Sequence, residues 1–235
     1  MSEGVQKLID SLIQGRIKAS VEKQREEARK KNEWEALPEE TRIEISSRRE
    51  KEYQEQEERW LENRKQAQIR EWQQRGITPR YFQATWKNWI AETPEQNQAL
   101  KTITQNAWEK NLFLVGGNGT GKTHLAMCLA KDGATYCLLP ELFRAVRHDL
   151  DSEQEIIDRY SSCKLLILDE IGRQKGTDFE RNLLFEIIDN RWNNLLPTTI
   201  IGNLNQEELV KICGAAILDR LNPIIVKFVW KSKRR

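Results

Sequence analysis

Residues 116–123 read Gly116-Gly117-Asn118-Gly119-Thr120-Gly121-Lys122-Thr123, the pattern G-x-x-x-x-G-K-[ST], set between an apolar run and a helical one. Each residue type has a chemical reason. Glycines lack a Cβ, so successive backbone N–H groups can curl around phosphate oxygens. A helix opening at the motif turns its positive dipole end towards the same anion. Lys122 then reaches the β- and γ-phosphates of a nucleotide, and the Thr123 hydroxyl suits Mg²⁺. A glycine-rich turn with an incidental lysine would stand alone, but a second half of the site follows 47 residues after Lys122. There Leu165-Leu166-Ile167-Leu168 makes a buried strand ending in Asp169-Glu170. The C-terminal ends of strands are where open α/β sheets bind ligands. Asp169 is expected to hold Mg²⁺, directly or through water, and Glu170 to polarise the attacking water as general base. Neighbouring carboxylates otherwise repel, which itself argues for a cation between them.

Around these two segments apolar runs alternate with helical patterns. Strands are expected at Asn111–Val115, Thr135–Leu139, Lys164–Leu168, Thr198–Gly202 and Ile224–Val229, and helices at 121–131, 140–148, 152–161, 177–194, 205–211 and 214–221. Continuous apolar strands alternating with helices mean an α/β fold with a parallel sheet covered on both faces. Asn203 follows the fourth strand, where it either orients the lytic water or turns the chain. Arg220 either pairs locally with Asp219 or projects into a neighbouring subunit, and spacing alone favours the local pair.

The first 75 residues differ sharply. They hold 17 Lys+Arg and 17 Asp+Glu, two glycines and one proline. Such a segment forms helices but no compact core. Val5, Leu8, Ile9, Leu12, Ile13 and Ile17 recur at helical spacing and make an apolar stripe suited to docking on a partner or folding back on Trp60 or Trp72. Leu37-Pro38-Glu39-Glu40 reads as a break and restart with Pro38 at the first helical position, and 41–75 as a solvated helical spacer. Gly76-Ile77-Thr78-Pro79-Arg80 marks the boundary, giving a helical, charged partner-binding region at 1–75 and a nucleotide-binding domain at 76–235. The whole chain of 235 residues carries 38 basic and 36 acidic side chains, a net charge of +2, so any nucleic-acid contact rests on a local basic face. The tail from Lys227 to Arg235, with five cations and no acid, is either such a phosphate-contacting face or a frayed end, and contact is the favoured reading. No apolar run approaches the ~20 residues of a membrane span. Cys128, Cys137, Cys163 and Cys213 form no CxxC and accompany only two histidines, so they read as buried reduced thiols of a cytoplasmic protein rather than zinc ligands.

The block 76–235 resembles the AAA+ ATPases of the bacterial and phage helicase-loader group (DnaC/DnaI type) and is similar to the transposition helper ATPases (IstB type). The resemblance is carried by GNGTGKTHLA at 117–126, LLILDEIG at 165–172, RNLLFEIIDNRW at 181–192, TTIIGNLN at 198–205 and AAILDRL at 215–221. It implies a P-loop AAA+ domain with a five-stranded sheet in the order 5-1-4-3-2, slow hydrolysis of ATP with Mg²⁺, Asn203 as the first sensor, and Arg220 as an arginine finger. A finger implies ATP at the interface between self-associated subunits. Single-stranded DNA is implied at the segment after the carboxylates, through Thr177 and Phe179 with Arg173 and Lys175 nearby; Thr177 as a helix cap and Phe179 as a core residue are the competing roles. The aromatics of Arg80–Trp89 either border the adenine or pack in the core. The implied partner is a replicative hexameric DNA helicase, bound through 1–75 and placed on single-stranded DNA; the alternative is an ATPase assisting a transposase in target-DNA selection. The chain departs from the family in its short helix after the phosphate loop, in a fourth strand ending in Gly-Asn rather than Ser-Asn, in an unassigned second sensor, and in lacking a cysteine cluster in 1–75.

Overall fold

The computed structural model describes residues 22, 23, 26, 27, 29–173 and 176–232. The stripe from Val5 to Ile17, the cation Lys175 and the end of the basic tail lie outside the described residues. The chain divides into two units, Met1–Gln66 and Ala67–Arg235.

In the first unit, a helix through 29–35 ends in a turn before Pro38. The restart follows with one difference from expectation. Helix α1 (Glu39–Gln74) begins one residue after Pro38, whose carbonyl accepts the Arg42 N–H at 3.0 Å and so serves as the cap. α1 buries no residue. It is laced by i,i+4 pairs such as Arg48–Glu52 at 2.9 Å, as a charge-rich solvated helix requires.

In the second unit, β1 (Leu112–Gly116), β2 (Thr135–Leu138), β3 (Leu166–Ile171), β4 (Thr198–Gly202) and β5 (Ile224–Phe228) form one sheet in the order β2-β3-β4-β1-β5, all parallel. This is the expected 5-1-4-3-2 order. Alternate strand residues face opposite sides. On one side Leu112, Leu114, Ile167 and Ile201 pack against α2 (Pro94–Asn106) and α3 (Lys122–Lys131). On the other, Phe113, Leu166, Leu168 and Ile200 pack against α4 (Leu139–His148), α5 (Glu153–Ser162), α6 (Asp178–Asn193), α7 (Gln206–Cys213) and α8 (Ala215–Leu221).

Two features depart from the sequence reading. α2 was not expected; it starts where Thr93 accepts the Gln96 N–H at 3.3 Å and Pro94 occupies the first turn. β3 starts later than expected and continues through Asp169 and Glu170 to Ile171. Its pairing with β4 shifts register between Leu168 and Ile171, and Glu170 takes a left-handed φ of 60°. The two carboxylates therefore occupy a bulge, which re-aims side chains at a sheet rim.

All four cysteines are free. Burial pushes the thiols of Cys128, Cys137 and Cys213 up to about 12, which keeps them protonated. Among the described residues no helix is long and apolar enough to cross a membrane.

Arg191 in α6 is 1% exposed. Its guanidinium donates to the carbonyls of Tyr160 at 2.8 Å, Cys163 at 2.8 Å and Pro197 at 2.6 Å, and to Thr198 Oγ1 at 2.9 Å. It ties the end of α5 to the entry of β4, and burial lowers its basicity. Arg191→Met is expected to lower the unfolding free energy in urea by about 3–5 kcal/mol, because the carbonyls lose a charged donor and stay buried. A change below about 1 kcal/mol would show that water replaces the guanidinium.

Candidate active site

The sheet brings the two halves of the sequence motif together at the C-terminal ends of its strands. The phosphate loop leaves β1 at Gly116 and enters α3 at Lys122. Gly121 adopts φ +96°, and a Cβ there would lie 2.0 Å from the Trp89 ring, so only glycine fits. Lys122 is buried, and its ammonium donates to the carbonyls of Gly116 at 2.7 Å and Gly117 at 2.8 Å. The Thr120 hydroxyl closes the loop onto the Gly117 carbonyl at 2.9 Å.

Thr123 joins the loop to β3: its hydroxyl donates to Asp169 Oδ2 at 2.9 Å. Tyr136 on β2 donates its phenol to the same oxygen at 2.9 Å, and the Glu170 N–H donates to Asp169 Oδ1 at 2.7 Å. Three donors thus fix one buried carboxylate. Burial, and then the Asp169 charge, push the Tyr136 hydroxyl far above the ordinary phenol range, so it stays a donor. Glu170 pairs with Arg173 at 3.1 Å. Asn203, just past β4, donates to Asn118 Oδ1 of the loop at 2.7 Å.

Of these groups, Asn118, Gly121, Lys122, Thr123, Asp169, Glu170, Arg173 and Asn203 line a cleft of about 980 Å³. Tyr81 and Trp89 of the lead-in segment also line it, whereas Phe82 packs against Trp72 with ring centres 5.5 Å apart and Trp86 donates its N–H to Asp132 at 2.7 Å. The lead-in aromatics thus divide between cleft and packing. Lys131 holds the segment in place, donating to the Phe82 and Ala84 carbonyls at 2.7 Å each. Thr123 and Asp169 offer hard oxygen donors, and among the described residues no group of three or more His, Cys, Asp or Glu could hold a metal ion. A divalent cation held by these two residues would take few protein oxygens and would need others from a bound anion and water, which suits Mg²⁺.

Two expected groups lie elsewhere. Arg220 on α8 is not among the cleft-lining residues. The local partner expected for it, Asp219, is corrected to Asp189 of α6, whose Oδ1 accepts the Arg220 Nε–H at 2.5 Å. Phe185, Asp189 and Trp192 form one stripe along α6 at helical spacing, and the guanidinium lies over it, 4.5 Å from the Phe185 ring centre. Thr177 caps α6: its hydroxyl accepts the Glu180 N–H at 3.3 Å, and Glu180 accepts the Thr177 N–H at 3.1 Å. Phe179 is half-buried against the second core, with Arg147 5.7 Å over its ring and Arg147 paired to Glu180 at 2.6 Å. Sequence reasoning missed Tyr136 and Arg147, which reach these places only through sheet pairing and helix packing.

Comparison with known proteins gives a consistent picture. The sequence model of IstB-like ATP binding proteins matches residues 50–223. The replicative helicase loader DnaC of Escherichia coli (strain K12) is 29% identical over 191 residues, covering 74% of this chain and 78% of that protein. The crystal structure of the DnaC helicase loader superposes with a TM-score of 0.56 at 25% identity, over 66% of this chain and 100% of that one. The crystal structure of DnaI, at 21% identity and a TM-score of 0.56 over 64% of this chain and 94% of that one, shares the fold.

The shared grip on Asp169 Oδ2 is testable. In a double-mutant cycle, Tyr136→Phe and Asp169→Asn are expected to couple by about 1 kcal/mol in urea unfolding, as contacting residues in one network do. Additive losses would show that the phenol hydroxyl contributes nothing through Asp169.

Proposed function

The chain belongs to the IstB-like ATP-binding protein family, and from that premise we propose that it is an ATP-dependent loader of a replicative hexameric DNA helicase onto single-stranded DNA. The observation that carries the reading is the Thr123–Asp169 bond, which unites the phosphate loop with the acidic strand in a chain whose relatives include a replicative helicase loader. The transposase-helper alternative shares the ATP chemistry and the IstB-like family model; the loader reading is preferred because the relative matched over 74% of this chain is a replicative helicase loader.

In this reading the N–H groups of 116–123 cradle the ATP phosphates. Lys122 exchanges the Gly116 and Gly117 carbonyls for phosphate oxygens. Thr123 and Asp169 hold Mg²⁺, which when bound neutralises charge on the β- and γ-phosphates. Glu170 leaves Arg173 and takes a proton from the attacking water, which Asn203 orients. Arg220 completes the site of a neighbouring subunit, so that ATP governs self-association and hydrolysis is slow and switch-like. Arg173, Lys175, Thr177 and Phe179 contact single-stranded DNA, residues 1–75 bind the helicase, and 76–235 is the ATPase domain. The protein acts in the cytoplasm.

The test is a loading assay with purified helicase and single-stranded DNA. Lys122→Ala is expected to lose ATP binding and loading with its fold intact. Glu170→Gln should bind ATP and hydrolyse it about 10²–10⁴-fold more slowly, the usual worth of a general base. If both variants bind and hydrolyse ATP as wild type does, the site is misassigned; capture of a transposase in place of a helicase would favour the alternative.

The finger role has its own signature. Arg220→Ala should bind ATP but lose about 10³-fold or more in turnover. Mixing it with Glu170→Gln should restore part of that turnover, because one interface then joins an intact base to an intact finger. Normal turnover by Arg220→Ala as a dilute monomer would remove the finger role.

A further inference from the structure

Tyr136 has a second set of contacts, made by its main chain. β2 is an edge strand of the sheet, and an edge strand presents unpaired N–H and C=O groups. Here the edge is met by the turn that ends α1, whose residues from Ala67 onward belong to the second unit. The Tyr136 N–H donates to the Arg75 carbonyl at 2.8 Å. Gly76 follows with φ +83°, and a Cβ on it would lie 2.1 Å from the Tyr136 carbonyl oxygen, so only glycine lets the turn lie against the strand. Three further contacts hold the turn. The Ile77 N–H closes back on the Trp72 carbonyl at 2.9 Å, and the Ile77 side chain is buried in the core on the α2–α3 side. Arg159 of α5 donates to the Gln74 carbonyl at 2.5 Å. The Arg75 guanidinium donates to the Lys131 carbonyl at 3.2 Å, at the C-terminal end of α3, where a cation suits the helix dipole. The chain leaving α1 is thus bound to the edge strand and to the last turn of the helix that begins at the phosphate loop.

We propose that Tyr136 is a positioning residue that joins this junction to the metal carboxylate: Arg75 and Gly76 fix its main chain, and its phenol passes that position to Asp169. The proposal deepens the ATP-site reading above and rests on it. Both contacts sit on one residue, which is 8% exposed, so little slack separates them. Thr123 also donates to Asp169 Oδ2, but its hydroxyl is itself assigned to Mg²⁺. Tyr136 has no such second duty, and its phenol holds Oδ2 at 2.9 Å from behind the ligand pair. A ligand oxygen oriented by an outer partner needs no reordering when the ion arrives. Moving the edge strand would therefore displace Asp169 through the phenol. The grip on the phosphates would be spared, because it comes from the backbone and Lys122 of 116–123. A load carried by α1 would thus be felt in the use of Mg²⁺ and not in the binding of ATP alone.

Calorimetric titration of the full chain with ATP, in EDTA and over a range of Mg²⁺ concentrations, tests this. Tyr136→Phe keeps the ring and removes the hydroxyl. It is expected to leave ATP affinity in EDTA unchanged and to raise the Mg²⁺ concentration that half-maximally strengthens ATP binding about tenfold, as the loss of an outer partner of a metal ligand does. Gly76→Ala, which pushes the junction off β2, should act in the same direction. In the Tyr136→Phe background it should add nothing, because both changes act through one phenol. Losses that add would route the junction around Tyr136 and overturn the proposal. An equal loss of ATP affinity with and without Mg²⁺ would be a general structural effect and would overturn it too. Should Gly76→Ala fail to fold, amide hydrogen exchange decides. Adding Mg²⁺ to the ATP-bound wild type should slow exchange at the Tyr136 and Ile77 amides, and Tyr136→Phe should abolish that response. Amides in the wild type that ignore Mg²⁺ would sink the link. If Tyr136→Phe matches wild type at every Mg²⁺ concentration while Lys122→Ala loses ATP, Tyr136 only packs and the ATP-site reading stands. If Lys122→Ala also binds ATP as wild type does, both fall.

Discussion

Parallel strand pairing is the constraint on which the rest of the molecule depends. Five strands running one way place all their C-terminal ends on one rim of the sheet. Residues far apart in sequence are therefore delivered to one edge: the phosphate loop after β1, Asp169 and Glu170 in β3, Asn203 after β4, Trp230 after β5. Register then sets the spacing. Val115 and Ile171 both align with Gly202, and a Cβ on Gly202 would lie 2.7 Å from the Ile171 Cγ2. The bulge that turns Glu170 aside brings Ile171 onto that position. This gives a physical reason for a fourth strand ending in Gly-Asn: a serine there would press its Cβ into the bulged strand.

What could be read from the sequence was what is local. A phosphate loop is a contiguous string, an apolar run ending in two acids is another, and alternating strands and helices imply a parallel sheet. The strand order is not local, and it came from the family resemblance rather than from any spacing. α2 escaped notice because its buried face is slight, Gln96, Ala99 and Ile103, although Thr93-Pro94 carries the signature of a helix start. The end of β3 was misjudged because a bulge lets charged residues stay in a strand that periodicity would terminate. Tyr136, Arg147 and Arg191 gave no signal, since each acquires its role from a partner on another element.

Arg191 and Tyr136 illustrate how buried polar groups are tolerated here. Each is buried but fully hydrogen-bonded at its polar end. Arg191 converts carbonyls at the end of α5 and before β4 into its solvent, and α5's negative dipole end favours a cation there. Tyr136 gives Asp169 a permanent donor, on the same oxygen that Thr123 holds. The two act at opposite edges of the sheet: Arg191 braces the entry of β4, and Tyr136 braces Asp169 at the rim that carries the cleft.

On the proposed reading, the groups that act on the nucleotide each hold a substitute partner: Lys122 the loop carbonyls, Glu170 the Arg173 guanidinium, Arg220 the Asp189 carboxylate. These partners differ in how readily they are exchanged. Arg173 has an exposed side chain and Glu170 a half-exposed one, and an exposed pair is worth only about 0–1 kcal/mol. A phosphate near Arg173, from nucleotide or from single-stranded DNA, can therefore free Glu170 at little cost. Arg220 is more firmly held, by an ion pair with Asp189 that is less exposed than the Arg173–Glu170 pair and by an aromatic ring 4.5 Å away. Its release calls for a stronger competitor, and the γ-phosphate of an adjoining subunit is one. The easier exchange sits beside the candidate strand-binding segment and the harder one on α8, away from the cleft lining. Hydrolysis would then be limited by subunit assembly more than by the proton transfer to Glu170, which is the behaviour of a switch.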